Sequence, residues 1–337
     1  MKSRLKNPEA RASTMAVRVG ILGCSDIAER KFMPALANCN RAEPAAVSSR
    51  SADKAAAFAE KLNCPHLSHE GLVASPTVDL VYLSLPNHLH EEWSIKTLEA
   101  GKHLICEKPL STSLASAERI LACARRNNRL IYENQMFLFH PQHSLVKAMI
   151  ESGKIGKVRE LRSFFGFPTP RNGDFRLDPL QGGGAFHDLA RYPLGIAAHL
   201  LSSLPADFRG HSTWCNDLNT AVAGTAVNAN NEIFSFGIRF GQQYEARYEV
   251  IGESGRIRLE RAYTIPAELE NRIVLTVGAK TTETVVPAAD HFLLMLEKIC
   301  TIIQTGSGFS VLNRQAATIA RLAEQMEKGC MEQKHGS

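Results

Sequence analysis

The run Val17-Arg-Val-Gly20-Ile-Leu22-Gly23-Cys24-Ser25-Asp26-Ile27-Ala28 decides how the first third of the chain reads. Its first six residues are apolar enough for a buried strand, and a glycine turn then leads into a helix beginning near Asp26. Counted from Gly23 the spacing is Gly-x-Ser-x-x-Ala, a dinucleotide fingerprint with serine at the middle glycine. Such a turn lets backbone approach a pyrophosphate closely and aims a helix N-terminus at it. The same letters fit a strand–turn–helix without a ligand, but their place after the first strand of a βαβ unit favours the cofactor. Gly23, Cys24, Ser25, Asp26 and Ile27 are therefore expected contacts of a bound dinucleotide.

Working outward, residues 44–48, 80–85, 103–106 and 130–133 read as strands, and 53–62, 91–100 and 113–127 as helices. Asp53 is the expected N-cap of the first helix, and Ser113 or Ser111 opens the third. Strands alternating with helices of this length predict a doubly wound parallel sheet. After about residue 140 the rhythm changes. A helix (141–152) and a strand (158–166) precede a glycine-rich helix start near Gly184. Period-two segments follow at 232–240, 244–251, 256–261 and 272–278. The stretch EVIGESGRIRLE, with Gly252 and Gly255, suits an antiparallel hairpin, and a last helix covers 314–328. The expected fold class is α/β: a Rossmann doubly wound parallel sheet, then an α/β domain on an open, mostly antiparallel sheet. The expected division is a flexible basic tail (1–14), a cofactor domain (15–137) and a substrate and oligomerisation domain (138–330). The last helix is free to pack back on the first domain.

Composition narrows the function. The 337 residues are 44% hydrophobic and 22% charged, the balance of a globular protein. No run reaches the ~18 apolar residues of a membrane span, so neither a membrane nor, as follows, nucleic acid is an expected partner. Of the formal +5, the tail supplies most, through Lys2, Arg4, Lys6 and Arg11 against Glu9. The basic balance therefore does not mark a nucleic-acid surface. The first fourteen residues lack the apolar core of an export signal. The eight cysteines form no CxxC pair, which suits reduced, mostly buried thiols in a cytoplasmic protein.

Where the second predicted strand ends, the chain reads Ser48-Ser49-Arg50-Ser51. A site for NAD places a carboxylate there, on the ribose hydroxyls. A hydroxyl and a guanidinium instead suit a 2′-phosphate, so Ser49 and Arg50 predict a preference for NADPH over NADH; the alternative is an ordinary polar turn.

Two further segments lie at the C-terminal ends of predicted strands, where open α/β sheets hold ligands: Leu85-Pro86-Asn87-His88-Leu89-His90 and Glu107-Lys108-Pro109. Leu85, Pro86, Asn87, His90, Glu107 and Lys108 are expected against the cofactor. With the fingerprint, this order of P-N-x-x-H and E-K-P resembles the glucose–fructose oxidoreductase / inositol dehydrogenase / MocA family over almost the whole chain. Gly182-Gly-Gly-Ala-Phe-His187-Asp188-Leu-Ala190-Arg-Tyr192 looks like that family's G-G-G-x-x-x-D-x-G-x-Y motif, with Ala190 for the last glycine.

The resemblance implies an oxidoreductase moving hydride to or from a sugar carbon. Tyr192, four residues from Asp188 and so on one helical face with it, is the implied acid. Its ordinary pKa near ~10 leaves it a proton to donate at neutral pH. Lys108 stabilises the oxyanion and Asp188 orients the acid. Arg176 and His187 are expected beside Tyr192 as substrate contacts. Leu138 stands where many members carry arginine. With the Gly173-Asp-Phe-Arg176 loop and the Gly23-Cys24-Ser25 opening, it looks closer to the nucleotide-linked hexose ketoreductases, whose diphosphate would meet Arg171 and Arg176. The alternatives are oxidation of a free sugar, polyol or trans-dihydrodiol, and a non-catalytic nucleotide-sensing regulator. The resemblance also implies a homodimer or homotetramer formed through the second sheet. His140, His143 and His187 lack the acid or cysteine of a zinc set, and no metal is expected.

Overall fold

The computed structural model describes residues 16–331, so the basic tail read from the sequence lies outside the described residues. Strand β1 (Val17–Leu22) leads through a π-helical turn (Ala28–Phe32) into α1 (Met33–Asn38). There follow β2 (Ala42–Ser48), α2 (Ala52–Leu62), β3 (His66–Leu67), α3 (His69–Ala74) and β4 (Leu80–Leu83). Then come α4 (His90–Glu99), β5 (His103–Cys106), α5 (Leu114–Arg126) and β6 (Ile131–Glu133). All six strands pair in parallel in the order β3-β2-β1-β4-β5-β6, a doubly wound sheet that reverses direction between β1 and β4. One cap differs from the expectation. Ser51, in extended backbone, accepts the Lys54 N–H at 3.3 Å and caps α2, while Asp53 sits inside the first turn.

The second half begins with α6 (Pro141–Glu151), β7 (Val158–Phe167), α7 (Ala185–Leu189) and α8 (Arg191–Leu200). Strands β8 (Pro205–Cys215), β9 (Leu218–Asn228), β10 (Ile233–Phe240), β11 (Glu245–Gly252), β12 (Gly255–Leu259), β13 (Asn271–Val277) and β14 (Lys280–Val286) follow. With β7 they form an eight-stranded sheet, antiparallel except where β7 pairs with β10. The expected hairpin is β11–β12, with Ile251 opposite Arg256. One face of this sheet is covered by α7, α8 and α10 (Phe309–Met331) through Phe165, Phe186, Phe234, Phe236 and Met326. Helix α9 (His291–Thr305) returns to the parallel sheet, burying Phe292, Met295 and Ile299 beside β1 and β2. Helix α10 lies across both halves: Ala316 and Ala320 join the core of the parallel sheet, and Ile319, Leu322 and Met326 that of the other. Among the described residues no helix is long and apolar enough to cross a membrane.

Candidate active site

The ends of β1, β2 and β4 are laced together at Gly23. Its N–H donates to the Ser48 carbonyl at 3.0 Å, and its own carbonyl accepts the Ser84 hydroxyl at 2.7 Å. A Cβ at Gly23 would lie 2.7 Å from the Ser84 carbonyl oxygen, and its φ of +106° is one that other residues avoid. The turn therefore presents bare backbone at the point where the sheet reverses. Ser25 Oγ accepts the Ala28 N–H at 3.2 Å, capping the helix start that faces the turn. At the end of β2, Ser49 is half-buried and Arg50 exposed, and Arg50 has no acidic partner among the described residues.

The loop after β4 joins the glycine-rich segment, since Asn87 Nδ2 donates to the Gly182 carbonyl at 2.8 Å. Two expected cofactor contacts face inward instead. His90 is fully buried, with Nε2 2.8 Å from the Leu85 carbonyl and Nδ1 2.7 Å from the Pro109 carbonyl. Burial favours the neutral ring, which donates from one of these nitrogens and lies wedged between the two loops. Glu107 turns its Oε1 onto the Tyr82 hydroxyl (2.5 Å) and Asn134 Nδ2 (2.6 Å). Burial raises its carboxyl while those two donors work the other way. These side chains shape the loop backbones and leave Lys108 as the reaching group of its tripeptide, which has a cis Lys108–Pro109 bond.

Lys108 crosses to the other half. Its ammonium pairs with the Asp188 carboxylate, donates to the Asp188 carbonyl at 2.7 Å, and lies 5.3 Å from the Tyr192 ring centre. The glycine run makes this possible: a Cβ at Gly183 would lie 2.6 Å from the Arg176 carbonyl oxygen. The loop before α7 therefore folds tightly under the helix. Ala190 keeps helical dihedrals between α7 and α8, so Asp188 and Tyr192 share a face as the spacing predicts. Phe137, Phe165 and Tyr263 surround the Tyr192 ring at 5.3, 4.7 and 5.4 Å between centres. Among the described residues nothing hydrogen-bonds its hydroxyl.

Burial pushes the Tyr192 phenol up to about 12, although Lys108 pulls it down. Burial also works against the Lys108 ammonium, but Asp188, Tyr192 and Glu107 outweigh it and hold its pKa above the ordinary value. Both groups are protonated at neutral pH, one a donor and the other a fixed positive charge.

The remaining candidates separate. Arg176 reaches the site, with Nη1 3.7 Å from Asp188 Oδ2. Its fork is not free for a diphosphate, because Asp174 accepts both arms at 3.0 and 2.8 Å. Burial, with Arg191 nearby, lowers His187 to about 4, so it is neutral at working pH. Leu138 lines a cavity of about 370 Å³ with Ala198, His199, Leu204 and Ile319. His140 and His143 do not gather around His187: His143 Nδ1 meets the Tyr248 hydroxyl at 3.1 Å and His140 packs edge-on against His291. Among the described residues no three His, Cys, Asp or Glu side chains are grouped to hold a metal ion.

The sequence reading missed a second cross-link. Arg191, just before Tyr192, pairs through Nε with Glu133 Oε1 at 3.2 Å and donates Nη2–H to the Ser111 carbonyl at 3.1 Å. Glu133 Oε1 also accepts the Leu110 N–H at 2.8 Å. A helical arginine carries no local sign that it will be buried.

This geometry is that of a dinucleotide oxidoreductase, and the comparisons with known proteins agree. Residues 17–135 match the oxidoreductase family with an NAD-binding Rossmann fold, and 143–258 match the GFO/IDH/MocA C-terminal domain. The chain is 34% identical over 295 residues to a dTDP-3,4-didehydro-2,6-dideoxy-alpha-D-glucose 3-reductase from Saccharopolyspora spinosa, covering 87% of this chain and 89% of that one. It is 35% identical over 309 residues to the reductase of the same name from Actinomadura kijaniata, covering 90% and 91%. A solved 3-ketoreductase from Actinomadura kijaniata, in complex with NADP and TDP-benzene, matches with a TM-score of 0.88 at 31% identity, over 94% of this chain and 98% of that one. The chain belongs to the GFO/IDH/MocA oxidoreductase family.

Proposed function

We propose that the protein is an NADP(H)-dependent ketoreductase acting on a keto group of a nucleotide-linked hexose. The observation that carries this is the Lys108–Asp188–Tyr192 cluster, which brings a protonated phenol and a fixed ammonium together beside the strand ends of the parallel sheet. The turn at Gly23, packed so closely on the Ser84 backbone that no side chain fits, suits backbone approach to a pyrophosphate, and the unpaired Arg50 fits a 2′-phosphate. When bound, NADPH supplies the hydride. Tyr192 gives its proton to the carbonyl oxygen, Lys108 offsets the negative charge developing there, and Asp188 holds Lys108 in register. Arg176, braced by Asp174, faces the same point and meets a sugar oxygen. The loop backbones at Leu85, Pro86 and Asn87 border the nicotinamide side.

Two features of relatives support this reading. The Actinomadura 3-ketoreductase was crystallised with NADP and TDP-benzene. It was also studied as variants of a lysine and a tyrosine that stand the same interval apart as Lys108 and Tyr192. In the same reading, 15–137 is the cofactor domain and 138–330 the substrate domain, with α9 and α10 returning to the parallel sheet. A homodimer or homotetramer forms on the open face of the eight-stranded sheet, where Val227 and Ile233 pair and are both exposed. The setting is the cytoplasm.

The test is a turnover panel: NADPH- and NADH-dependent reduction of a dTDP-linked keto-hexose, against NADP-dependent oxidation of glucose, xylose and a trans-dihydrodiol. The expected result is the highest kcat/KM for the dTDP-linked sugar with NADPH, and loss of the NADPH preference in Arg50→Asp. A higher kcat/KM for any free sugar or diol refutes the substrate assignment.

A further inference from the structure

A nucleotide-linked substrate brings two negative charges and a flat base, and the reaction cluster provides for neither once Asp174 has taken Arg176. The strand ends beside it do. A cavity of about 550 Å³, lined by Gln242, Gln243, Tyr244, Arg247 and Arg261 and by two carboxylates, Glu245 paired with Arg247 and Glu260 with Arg258, opens where β7 and β12 end and β11 begins. That volume is within the range of small-molecule sites. It adjoins the reaction cluster through one ring: Phe165 lies edge-on to Tyr192 at 4.7 Å and edge-on to Tyr244 at 6.5 Å. A hexose at Tyr192 and a base at Tyr244 are thus the two ends of a span that a diphosphate can bridge.

The lining has the chemistry for both remaining parts. Tyr244 is anchored by its hydroxyl to Thr264 Oγ1 at 2.7 Å, yet the residue stays 39% exposed. The Arg261 guanidinium lies 5.8 Å over its ring. Arg261 is exposed and has no acidic partner among the described residues. Its neighbour Arg247 is held by Glu245 at 2.6 Å, and Arg176 by Asp174. Arg261 also holds a left-handed backbone, φ +47°, which side chains other than glycine, asparagine and aspartate seldom adopt. Strain of this kind concentrates at ligand sites. An anchored, exposed aromatic ring beside an unpaired guanidinium suits a base that stacks and a phosphate that pairs. The Gln243 amide is exposed at the cavity lining, with a donor and an acceptor for the edge of a base.

We propose that this cavity is the nucleotide subsite, with the base stacked on Tyr244 and the diphosphate paired with Arg261. The assignment rests on the nucleotide-sugar reading above and fixes where in the chain that specificity resides.

Titration of dTDP into the NADP-loaded full-length enzyme by calorimetry tests it. Tyr244→Ala and Arg261→Gln are each expected to weaken dTDP about tenfold or more, leaving NADPH affinity unchanged. Tyr244→Phe, which keeps the ring, is expected to retain the affinity within a few fold. If the wild type binds dTDP and the Ala and Gln variants bind it equally well, the subsite is refuted while the substrate class stands. If the wild type binds no dTDP and turns over a free sugar, the nucleotide-sugar reading falls and the subsite with it. Should Tyr244→Ala not fold, Arg261→Gln, an exposed side chain, decides alone.

Discussion

Helices α7 and α8 send two charged groups, three residues apart, into the strand ends of the parallel sheet, and the two meet different surroundings. Asp188 pairs with Lys108 at the edge of the cleft, where the side chains are 11% and 13% exposed. Arg191 pairs with Glu133 where they are 6% and 3% exposed, backed by the Ser111 carbonyl and the Leu110 amide. The first pair keeps a neighbour with an unpaired hydroxyl, Tyr192, and sits where a substrate oxygen can enter its field. The second is sealed between the loop after β5, the end of β6 and α8. A sealed pair adds little over well-packed apolar groups, but losing one partner strands the other charge. In the proposed reading the outer pair serves chemistry and the inner pair docking, α7 carrying one and α8 the other.

That division can be broken by experiment, and the largest effect should come from the outer pair. Tyr192→Phe and Lys108→Met are each expected to lower kcat by roughly 10²–10⁴-fold; in Tyr192→Phe the unfolding midpoint in urea stays nearly unchanged and NADPH binding is retained. Steady-state kinetics with a saturating keto-sugar checks this. Near-normal turnover in Tyr192→Phe would hand proton delivery to another group and dissolve the contrast.

The inner pair should show the reverse pattern. Arg191→Met is expected to cost about 3–5 kcal/mol of stability by leaving Glu133 buried and unpaired, and Arg191→Met with Glu133→Leu should recover much of it. Urea unfolding of the three proteins measures the difference. A single variant as stable as the wild type would show that the pair does not dock the helix.

The smallest effect sharpens the comparison through pH. Burial lowers His103 and His187 to about 4 and His291 to about 3, so all three are neutral in the folded protein at pH 7. The unfolded chain takes up their protons near the ordinary value of ~6.5. Stability is therefore full above that value and declines as pH falls through ~6.5 towards about 4, the unfolded state binding the extra protons. Tm should fall by a few degrees between pH 7.5 and 5. His291→Gln should flatten the slope, and an equal Tm at both pH values would contradict the buried, neutral histidines.

How legible each feature is in the amino-acid sequence follows from how local it is. Gly23 and the helix start at Asp26 are neighbours in the chain, so turn chemistry announces them. Asp188 and Tyr192 share a face because helical period alone sets it. Weaker local signals failed. Strands β8 and β9 carry Ala, Gly, Thr and exposed charges, and they become strands by pairing with each other and with β10. Helix α9, HFLLMLEKICTIIQT, buries Phe292, Met295, Leu296 and Ile299 at helical spacing against β1 and β2, but its near-continuous apolar start also suits a buried strand. Ser51 and Asp53 both suit an N-cap, and only the backbone at Ser51 settles which one serves.

Partner choice lies further still from the sequence. That Arg176 is held by Asp174, that Glu107 turns inward to Tyr82 and Asn134, and that Arg191 finds Glu133 across 58 positions are matters of distance through space. Residue types and their spacing state which charges exist and which face they share. Packing of the two sheets about α7, α8 and α10 decides which of those charges are sealed together and which are left facing the cleft. The cost of burying an unpaired charge is what makes that decision binding.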